Sequence, residues 1–388
     1  MASETQVRPP TLLCVANFPA NTGFAWDFIE GLYARCADAL APRRVRTLVA
    51  YPRIDSPPRS LLASTAHAVE VEASPERLRS LPRLLRLLRR EGVRVIYYTD
   101  YPSRLWSYPL LRLAGVRRII VHDHASGIRL PPRGIRRVLK TLYARVPGVT
   151  ADRVIAVSDF VARRQAEVAL IPMDRITRVW NGLEMPASVP SPSEARQRLG
   201  LPLDRPIIVT ACRGTPEKGV QHLLRAFDRA CQACQPPPLL IYVGDGPYRS
   251  ELEAVRASLA SNAQIQFTGY RTDVRDFLCA ADVCVVPSTW QDALPLSVLE
   301  AMGLGRAVIA SSVGGIPEMC RHGEEGMLVP PGDETSLAAA LTQLLESGTL
   351  REQLGRRGRS RVRDHFTPAA QLTALLNVLE PGLDSQGG

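Results

Sequence analysis

The stretch ADVCVVPSTWQDALPLSVLEAMGLGRAVIASS (281–312) contains an apolar strand, a loop, a helix and a second apolar strand. The two strands, ADVCVVPS (281–288) and RAVIASS (306–312), are short apolar runs of the kind found in sheets covered on both faces. A strand–helix–strand unit of this length joins parallel strands. The stretch therefore predicts a parallel sheet with helices packed against it.

The same alternation extends in both directions along the 388 residues. In the first half we predict strands at TLLCVAN (11–17), RTLVAY (46–51), VRVIYYTD (93–100), RRIIVHD (117–123) and ADRVIAVS (151–158). In the second half, further strands are predicted at PIIVTAC (206–212), PLLIYVGDG (238–246), IQFTG (265–269) and GMLVP (326–330). Amphipathic segments such as 24–40 lie between them. The prediction is an α/β chain with two tandem doubly wound, Rossmann-like domains facing a cleft, where ligands bind beyond the carboxyl ends of the strands.

Domain boundaries are predicted from a change of composition. The segment NGLEMPASVPSPSEARQRLGLPLDRP (181–206) is rich in proline and small polar residues, which is typical of a linker. We predict a first domain over 1–180, a linker over 181–205 and a second domain over 206–365. The remainder, 366–388, is predicted to form a C-terminal helix and tail that can pack back on the first domain.

The net charge of +10 is unevenly distributed. Residues 1–180 contain 29 Lys and Arg against 15 Asp and Glu, whereas residues 181–388 contain 19 against 23. No nucleic-acid-binding motif accompanies the basic half, so a nucleic acid is not an expected partner. Two interpretations remain open, a solvated basic face and a peripheral contact with an anionic membrane surface.

Compartment and membrane topology are predicted from absent signals. The eight cysteines are scattered, mostly in apolar runs, and suggest no disulfide framework. The N-terminal MASETQVRPP lacks the apolar core of a signal peptide, and no run approaches the roughly 18 apolar residues of a spanning helix. We expect a cytoplasmic protein that can also contact the inner face of the membrane.

The loop and helix within the opening stretch form the first candidate site. Pro295 suits the first turn of a helix, and the amides of residues 296–298 are then free to bind an anion. Glu300 lies one turn further along the helix and Asp292 lies in the preceding loop. A diphosphate at the helix start, flanked by two hydroxyl-binding carboxylates, would use all of these groups. A capped surface helix with unrelated acids is an equally good interpretation of these residues alone.

Two other segments of the second half add candidate ligand contacts. In ACRGTPEKGV (211–220), Arg213 and Lys218 follow a predicted strand, and paired cations at such an edge suit a polyphosphate. In GGIPE (314–318), Gly314 and Gly315 permit a close approach between backbone and ligand, or form a plain turn. The alternative for both segments is an ordinary solvated loop.

Two candidate segments lie in the first half. FPANTGFAW (18–26) joins the first strand to its helix, and Gly23 is placed for a backbone contact with a ligand. VHDHASG (121–127) ends a strand with His122, Asp123 and His124. Neighbours on a strand alternate faces, which disfavours a metal site. Hydrogen bonding to a polar ligand is the preferred interpretation, and a purely structural histidine is the alternative.

Together these motifs resemble the family 4 glycosyltransferases of the GT-B fold, which are retaining enzymes that use nucleotide-sugars. The resemblance covers about residues 11–370 and is strongest over 206–335. It is carried by R-x-x-x-x-K-G at 213–219, VGDGP at 243–247, FTGYR at 267–271, a carboxylate and Glu300 separated by seven residues, LEAMGLGRAVIASSVGGIPE at 299–318 and GMLVPPGD at 326–333. Several matches at family spacing make the resemblance specific.

The resemblance implies a role for each matching residue of the second half. Arg213 and Lys218 match the cations that bind the donor diphosphate, and Glu300 matches the acid that holds the ribose. Asp292 stands where the family usually has Glu, in contact with the transferred sugar. The remaining donor-binding residues are the phosphate-binding amides of Leu296 and Ser297, the base-adjacent Tyr270 and Arg271, and the glycines Gly314 and Gly315.

In the first half, the resemblance assigns Gly23 to the glycine-rich first loop. It also places His122 or His124 near the reacting carbon, without deciding between them. Two departures stand out: Asp292 is one methylene shorter than Glu, and the first loop has a single glycine where many relatives have two.

The implied reaction moves a sugar from a UDP-, GDP- or ADP-sugar to a saccharide, lipid-linked or small-molecule acceptor, without a cofactor. The sequence contains no D-x-D motif, and no divalent metal is expected. Two alternatives stay open: a GT-B-type epimerase or phosphorylase, and a degenerate, non-catalytic subunit of a polysaccharide assembly system.

Overall fold

The computed structural model of the chain describes residues 9–23, 25–186, 188–232 and 234–383. Residues 1–8, on which most of the signal-peptide prediction rests, lie outside this range. The chain divides into two compact units. Unit 1 contains the described residues of Met1–Ala125, Arg129–Val179 and Gln371–Gly388, and unit 2 contains those of Ser126–Ile128 and Trp180–Ala370.

Unit 1 is built on a seven-stranded parallel sheet in the order β3-β2-β1-β4-β5-β6-β7. Its strands are β1 (Thr11–Val15), β2 (Arg46–Tyr51), β3 (His67–Glu70), β4 (Val93–Thr99), β5 (Arg118–Asp123), β6 (Arg153–Ala156) and β7 (Ile176–Arg178). Its helices are α1 (Ala25–Leu40), α2 (Leu81–Glu91), α3 (Tyr108–Leu113), α4 (Gly134–Ala144) and α5 (Asp159–Glu167). The order reverses beside β1, which creates the switch point expected of a doubly wound sheet.

The period of two along each strand divides the apolar side chains between two cores. Leu12 and Cys14 of β1 pack in the cluster that includes α1, whereas Leu13 and Val15 pack in the cluster that includes α2. All four side chains are at most 1% exposed. Because both faces of the sheet are covered, the strands are continuous apolar runs, which is the pattern that made them recognisable in the sequence.

Unit 2 has a six-stranded parallel sheet in the order β10-β9-β8-β11-β12-β13. Its strands are β8 (Ile207–Ala211), β9 (Leu239–Val243), β10 (Ile265–Gly269), β11 (Val283–Val286), β12 (Ala307–Ser311) and β13 (Met327–Val329). The helices are α6 (Pro192–Leu199), α7 (Val220–Cys231), α8 (Arg249–Ala257), α9 (Val274–Ala280), α10 (Leu296–Gly303), α11 (Ile316–Met319), α12 (Glu334–Glu346) and α13 (Gly348–His365). A last helix, α14 (Pro368–Leu379), begins in unit 2 and lies mostly in unit 1. Strands β8 and β11 are neighbours, so the loops after them meet at one edge of the sheet.

The predicted α/β fold class with two Rossmann-like domains is confirmed, and each predicted strand is present within a few residues. Two strands were not predicted, β3 and β7. Both are edge strands of four and three residues. In β3, three of the four residues are exposed, so the sequence HAVE lacks the apolar run that marks the inner strands.

The segment 181–205 differs from the predicted linker, because it belongs to unit 2 and contains α6. Ser191 and Glu194 form a capping box at the start of this helix, each side chain bonding the backbone of the other. Arg196 then anchors the helix through an ion pair with Asp282 at 2.6 Å. At the other end of unit 2, α14 crosses into unit 1, where Leu375 and Leu379 join the core beside α1.

Candidate functional site

The loop after β8, which carries Arg213, is fixed by the loop after β9. The amide of Gly214 donates to the carbonyl of Asp245 at 2.9 Å, and the amide of Tyr248 donates to the carbonyl of Gly214 at 2.9 Å. A Cβ on Gly246 would overlap the backbone of Gly214, so only glycine allows the two loops to approach this closely. The Arg213 side chain is exposed on this fixed loop.

Lys218 lies further along the same loop, which is also joined to the loop after β11. The carbonyl of Glu217 accepts hydrogen bonds from the amides of Thr289 at 2.9 Å and Trp290 at 3.3 Å. Gly219 has φ +70°, and a Cβ there would overlap the carbonyl oxygen of Pro287. These contacts bring Lys218 beside the segment that follows β11.

Asp292 forms an ion pair with the ammonium group of Lys218. The Lys218 Nζ atom lies 2.8 Å from Oδ1 and 3.1 Å from Oδ2 of Asp292, and the Ser288 hydroxyl donates to Oδ2 at 2.6 Å. The Asp292 side chain is 6% exposed, whereas that of Lys218 is 31% exposed. Two residues predicted as separate ligand contacts therefore form one ion pair, in which Asp292 is buried and Lys218 remains accessible.

The backbone of Asp292 is held by the glycines after β12. The amide of Gly315 donates to the carbonyl of Asp292 at 2.9 Å. Gly314 has φ +60°, and a Cβ on it would overlap the same carbonyl oxygen. Gly314 and Gly315 thus lie next to the Lys218–Asp292 pair and fix its loop.

Helix α10 begins beside this pair, after Pro295 in extended conformation. Among the described residues, no side chain caps this helix start, and the amides of Leu296 and Ser297 have no hydrogen-bond acceptor. The sequence prediction that the Val298 amide is also free is wrong, because this amide donates to the carbonyl of Pro295 at 3.2 Å. Two free amides therefore remain at the positive end of the helix dipole.

Glu300 lies one turn into α10 and is half-buried. Within the described part of the chain, its carboxylate has no hydrogen-bond or ion-pair partner. Burial raises the pKa of Glu300, and the charge of Arg275 opposes this shift. A partly buried carboxylate without a partner is free to accept hydrogen bonds from a ligand.

Tyr270 and Arg271 follow β10, two strands away from β8. Tyr270 is 58% exposed. The guanidinium of Arg271 is paired with Asp273 at 2.5 and 2.7 Å and lies over the ring of Phe277. Arg271 lines a cavity of about 480 Å³ to which neither Lys218 nor Asp292 contributes. The structure therefore does not bring Arg271 to the Lys218–Asp292 pair.

In unit 1, His122 and His124 project from the same face at the end of β5, with ring centroids 3.9 Å apart. His122 is fully buried, and its Nδ1 lies 2.5 Å from the Tyr97 hydroxyl. The side chain of His124 is 12% exposed. Among the described residues, Nε2 of His122 and both ring nitrogens of His124 are buried without a hydrogen-bond partner, and a carboxylate oxygen of Asp100 lies 3.9 Å from Nδ1 of His124.

The two imidazoles are neutral at neutral pH. Burial, followed by the neighbouring His124, lowers the pKa of His122 well below its usual value. Burial also lowers the pKa of His124, although Asp100 and Asp123 oppose the change. Neutral rings offer both a donor and an acceptor nitrogen for a polar ligand.

Gly23, the first-loop candidate of unit 1, has φ +86° and open space where a side chain would project. Neighbouring Asn21 ties this loop to another segment, because its amide donates to the hydroxyl of Ser56 at 2.8 Å. Sequence reasoning missed Ser288, Gly219 and Tyr97 as supporting residues. Their positions next to candidate residues emerge from loop and strand pairing, for which no local motif is diagnostic.

Within the described ranges, no group of three His, Cys, Asp or Glu side chains is arranged to hold a metal ion. No helix in this part of the chain combines the length and hydropathy required to cross a bilayer.

Two family profiles match the two halves of the chain. The family described as "Glycosyl transferases group 1" matches residues 192–361, and "Glycosyltransferase Family 4" matches residues 32–185. The first match contains every candidate residue of unit 2, and the second contains both histidines.

Individual glycosyltransferases are also similar to this chain. The chain is 32% identical to the lipopolysaccharide core biosynthesis glycosyltransferase LpsD of Rhizobium meliloti over 50% of its own length and 55% of that protein. It is 29% identical to a GDP-mannose-dependent alpha-(1-6)-phosphatidylinositol monomannoside mannosyltransferase of Mycolicibacterium smegmatis, over 76% of the chain and 79% of that protein. The chain thus spans about half the length of LpsD.

Among solved structures, the fold is similar to that of Anabaena Alr3699/HepE in complex with UDP. The TM-score is 0.76 at 19% identity, over 96% of this chain and 100% of the other. At this identity the likeness concerns the fold.

Proposed function

Because the chain belongs to the family 4 glycosyltransferases, we propose that it transfers a sugar from a nucleotide-diphosphate sugar to a hydroxylated acceptor. The observation that carries the proposal is the meeting of Lys218, Asp292 and the free amides of α10 at neighbouring strand ends in unit 2. This edge combines one accessible ammonium, two N–H donors and the positive end of a helix dipole. Such groups are complementary to a diphosphate.

The donor would be divided among these groups by charge and hydrogen-bonding capacity. Lys218, the exposed Arg213 and the amides of Leu296 and Ser297 would bind the diphosphate. Glu300 would accept from the ribose hydroxyls, because its half-buried carboxylate has no competing acceptor role among the described residues. Tyr270 would stack on or beside the base.

Bond cleavage at the anomeric carbon places negative charge on the departing diphosphate. Cations and amides that already point to that position stabilise the charge without reorganising, which is the usual largest contribution to such catalysis. We propose that these groups replace a divalent metal and that the reaction retains the anomeric configuration, as the family resemblance implies. Unchanged turnover in excess EDTA and the anomeric configuration of the product, read by NMR, test these two points.

In unit 1, we propose that His124 hydrogen-bonds a substrate hydroxyl. It is the more accessible of the two histidines, and both of its ring nitrogens lack a hydrogen-bond partner within the described residues, although Asp100 lies 3.9 Å from Nδ1. His122 would support it from behind, because its own Nδ1 is held by Tyr97.

The names of relatives support an acceptor linked to glycolipid or surface polysaccharide. LpsD acts in lipopolysaccharide core biosynthesis, and the mycobacterial relative uses GDP-mannose and a phosphatidylinositol mannoside. The fold neighbour was solved with UDP. We propose a UDP-, GDP- or ADP-sugar as donor and a lipid-linked saccharide as acceptor.

Helix α4 is our candidate for peripheral contact with a membrane. It has no buried residue, and its apolar side chains Ile135, Val138, Leu139 and Leu142 are 70, 53, 58 and 53% exposed. Their spacing places them on one face, opposite the half-buried Lys140 and Ala144. Six Lys and Arg and no Asp or Glu occur between Asp123 and Asp152. An apolar stripe flanked by cations is typical of helices that lie in anionic lipid interfaces.

A nucleotide screen tests the proposed function. We expect one nucleotide or its sugar conjugate to raise the melting temperature, because a ligand of the folded state stabilises it. Arg213→Ala and Glu300→Ala should each weaken that binding by about tenfold or more, consistent with ~1.4 kcal/mol per lost charged contact. The matched controls are Arg357→Ala and Glu251→Ala, since both residues are exposed and lack a side-chain partner among the described residues.

Wild-type affinity in both test variants would remove the proposed donor site. Sugar released only as a free monosaccharide or sugar phosphate, with every acceptor absent, would favour an epimerase or phosphorylase instead.

A further inference from the structure

A cavity of about 450 Å³ lies in unit 1, beside the carboxyl ends of β4 and β5. Asp100 and Ser103 line it from the segment after β4, Asp123 from the end of β5, and Lys140 from α4. Its volume falls within the roughly 300–1,000 Å³ of small-molecule sites, so it can hold more than a single ion. No role in donor binding has been assigned to it.

Four cations line this cavity: Arg104, Arg129, Lys140 and Arg164. Arg164 is neutralised by Asp123, because its Nη2 lies 3.0 and 2.9 Å from the two carboxylate oxygens. Among the described residues, the other three have no acidic partner within ion-pair distance. Three cations of the lining therefore lie outside any ion pair in the described part of the chain.

The geometry of Lys140 and Arg104 explains how they remain unpaired. The Lys140 ammonium donates to the carbonyl of Val168 at 2.6 Å. The Arg104 guanidinium donates to the carbonyls of Ala169 at 2.9 Å and Leu170 at 3.2 Å. Main-chain carbonyls, and for Arg104 also the Thr150 hydroxyl at 3.0 Å, fix both side chains in place but supply no negative charge.

Burial lowers the pKa of Lys140, and the charges of Arg104 and Arg129 lower it further. These cations therefore repel one another, and an anion between them would relieve that repulsion.

Three acids, Asp123, Asp100 and Glu76, line the cavity against the four cations, so one positive charge remains in excess. The carboxylate of Asp123 is occupied by Arg164 and also accepts from the Gln165 amide at 2.5 Å. The carboxylate of Asp100 accepts from the backbone amide of His124 at 2.6 Å. Glu76, the third acid of the lining, is exposed at its rim.

We propose that this cavity binds a compact oxyanion of the acceptor, a phosphoryl or carboxylate group, through Lys140, Arg129 and Arg104. The inference rests on the proposed function, since it specifies the class of acceptor as anionic. The hydroxyls of Ser103, Tyr101 and Tyr143 also line the cavity, which suits a hydroxylated molecule that carries the anion. Lys140 connects the cavity to α4, so an acceptor held there would lie under the proposed lipid-contacting helix.

The test uses the full chain and three probes at constant ionic strength: inorganic phosphate, glycerol 3-phosphate and glucuronate, with glycerol and chloride as neutral and non-oxyanion controls. We expect an oxyanion probe to raise the melting temperature and to bind at least tenfold more weakly to Lys140→Gln and Arg129→Gln. Arg163→Gln is the matched control, because Arg163 is exposed on the neighbouring α5 and does not line the cavity. Preference between the phosphate and glucuronate arms identifies the anion.

Nucleotide affinity, measured on the same variants, separates this inference from the proposed function. Unchanged nucleotide binding with loss of the oxyanion response supports the cavity. An oxyanion response that is absent in the wild type, or equal in Lys140→Gln and Arg163→Gln, overturns the inference and leaves donor binding unaffected. A far-UV circular dichroism spectrum and urea midpoint equal to wild type exclude unfolding of the variants.

Discussion

The Lys218 ammonium and the Asp292 carboxylate form a bidentate contact at 2.8 and 3.1 Å that links the loops after β8 and β11. The carboxylate is almost fully buried and also accepts from Ser288, whereas the lysine retains exposed surface. Asp292 therefore acts on the position of Lys218. This differs from the direct sugar contact that the family resemblance implies for this position.

Asp292→Asn should reduce kcat by about tenfold or more, because Lys218 loses the charge that orients it. Asp292→Glu keeps the negative charge on a side chain one methylene longer. It should therefore retain more activity than Asp292→Asn. Kinetics of the two variants and of Lys218→Ala check this. If Asp292 acts by positioning Lys218, the double variant should lose little more kcat than Lys218→Ala alone in a double-mutant cycle. Fully additive losses would assign Asp292 an independent role.

Glu300→Gln tests whether burial of the Glu300 carboxylate lowers the stability of the folded protein. Burial raises the pKa of the Glu300 carboxyl. Its ionised form therefore costs folding free energy at neutral pH, and that cost disappears as the pH falls below the ordinary carboxyl value. We expect Glu300→Gln to raise the melting temperature by about 2 °C at pH 7 and to leave it unchanged near pH 4. A stabilisation of equal size at both pH values would contradict the linkage.

The same pKa shift predicts a pH dependence of donor binding. If the ribose hydroxyls require the carboxylate, nucleotide affinity of the wild type should fall on acidification at a higher pH than an ordinary glutamate would produce. Affinity of Glu300→Gln should be lower at pH 7 and should fall less on acidification than that of the wild type, because only the phosphate ionisation of the nucleotide, at roughly pH 6, then contributes. Isothermal titration calorimetry of both proteins with Glu251→Gln as control measures the difference. The same pH dependence of affinity in the wild type and in Glu300→Gln would oppose the assigned role of Glu300.

The sequence predicted the fold well because its strands are covered on both faces and read as apolar runs. It failed at β3 and β7, where short edge strands bury too little to carry such a run. Helix α6 was missed although its capping box, Ser191 and Glu194, is a recognisable local signal. The prolines of that segment are typical of a linker, whereas one of them, Pro192, occupies the first helical turn.

The sequence predicts which candidate residues share a loop, but it does not predict contacts between residues of different loops. Lys218 and Asp292 are 74 positions apart, and only the adjacency of β8 and β11 shows that they contact each other. The cavity lined by Arg104, Arg129 and Lys140 was not predicted for the same reason, since its residues come from several segments. Charge composition indicated a basic first half, but pairing in three dimensions decides which cations are neutralised.

Two adjacent tyrosines of β4 provide a matched test of the support behind the histidines. The Tyr97 hydroxyl contacts Nδ1 of His122, whereas the buried Tyr98 hydroxyl has no partner among the described residues. Tyr97→Phe should lower the free energy of unfolding by about 1–3 kcal/mol, because it leaves a buried nitrogen unpaired. Tyr98→Phe should be neutral or stabilising. Urea unfolding compares them, and equal losses in the two variants would show that the Tyr97 hydrogen bond contributes nothing specific.

Gly314 and Gly323 provide a matched test of the loop that holds Asp292. Both have positive φ, +60° and +75°, so an alanine at either position carries a similar backbone strain of about 1 kcal/mol. A Cβ on Gly323 meets open space, whereas a Cβ on Gly314 overlaps the carbonyl oxygen of Asp292. We therefore expect Gly323→Ala to lower stability modestly and keep full kcat, and Gly314→Ala to lower both, because Asp292 and with it Lys218 must shift. Urea midpoints and kcat values of the two variants test this. Equal kcat values would show that Gly314 is required for the backbone conformation of its loop and not for the position of Asp292.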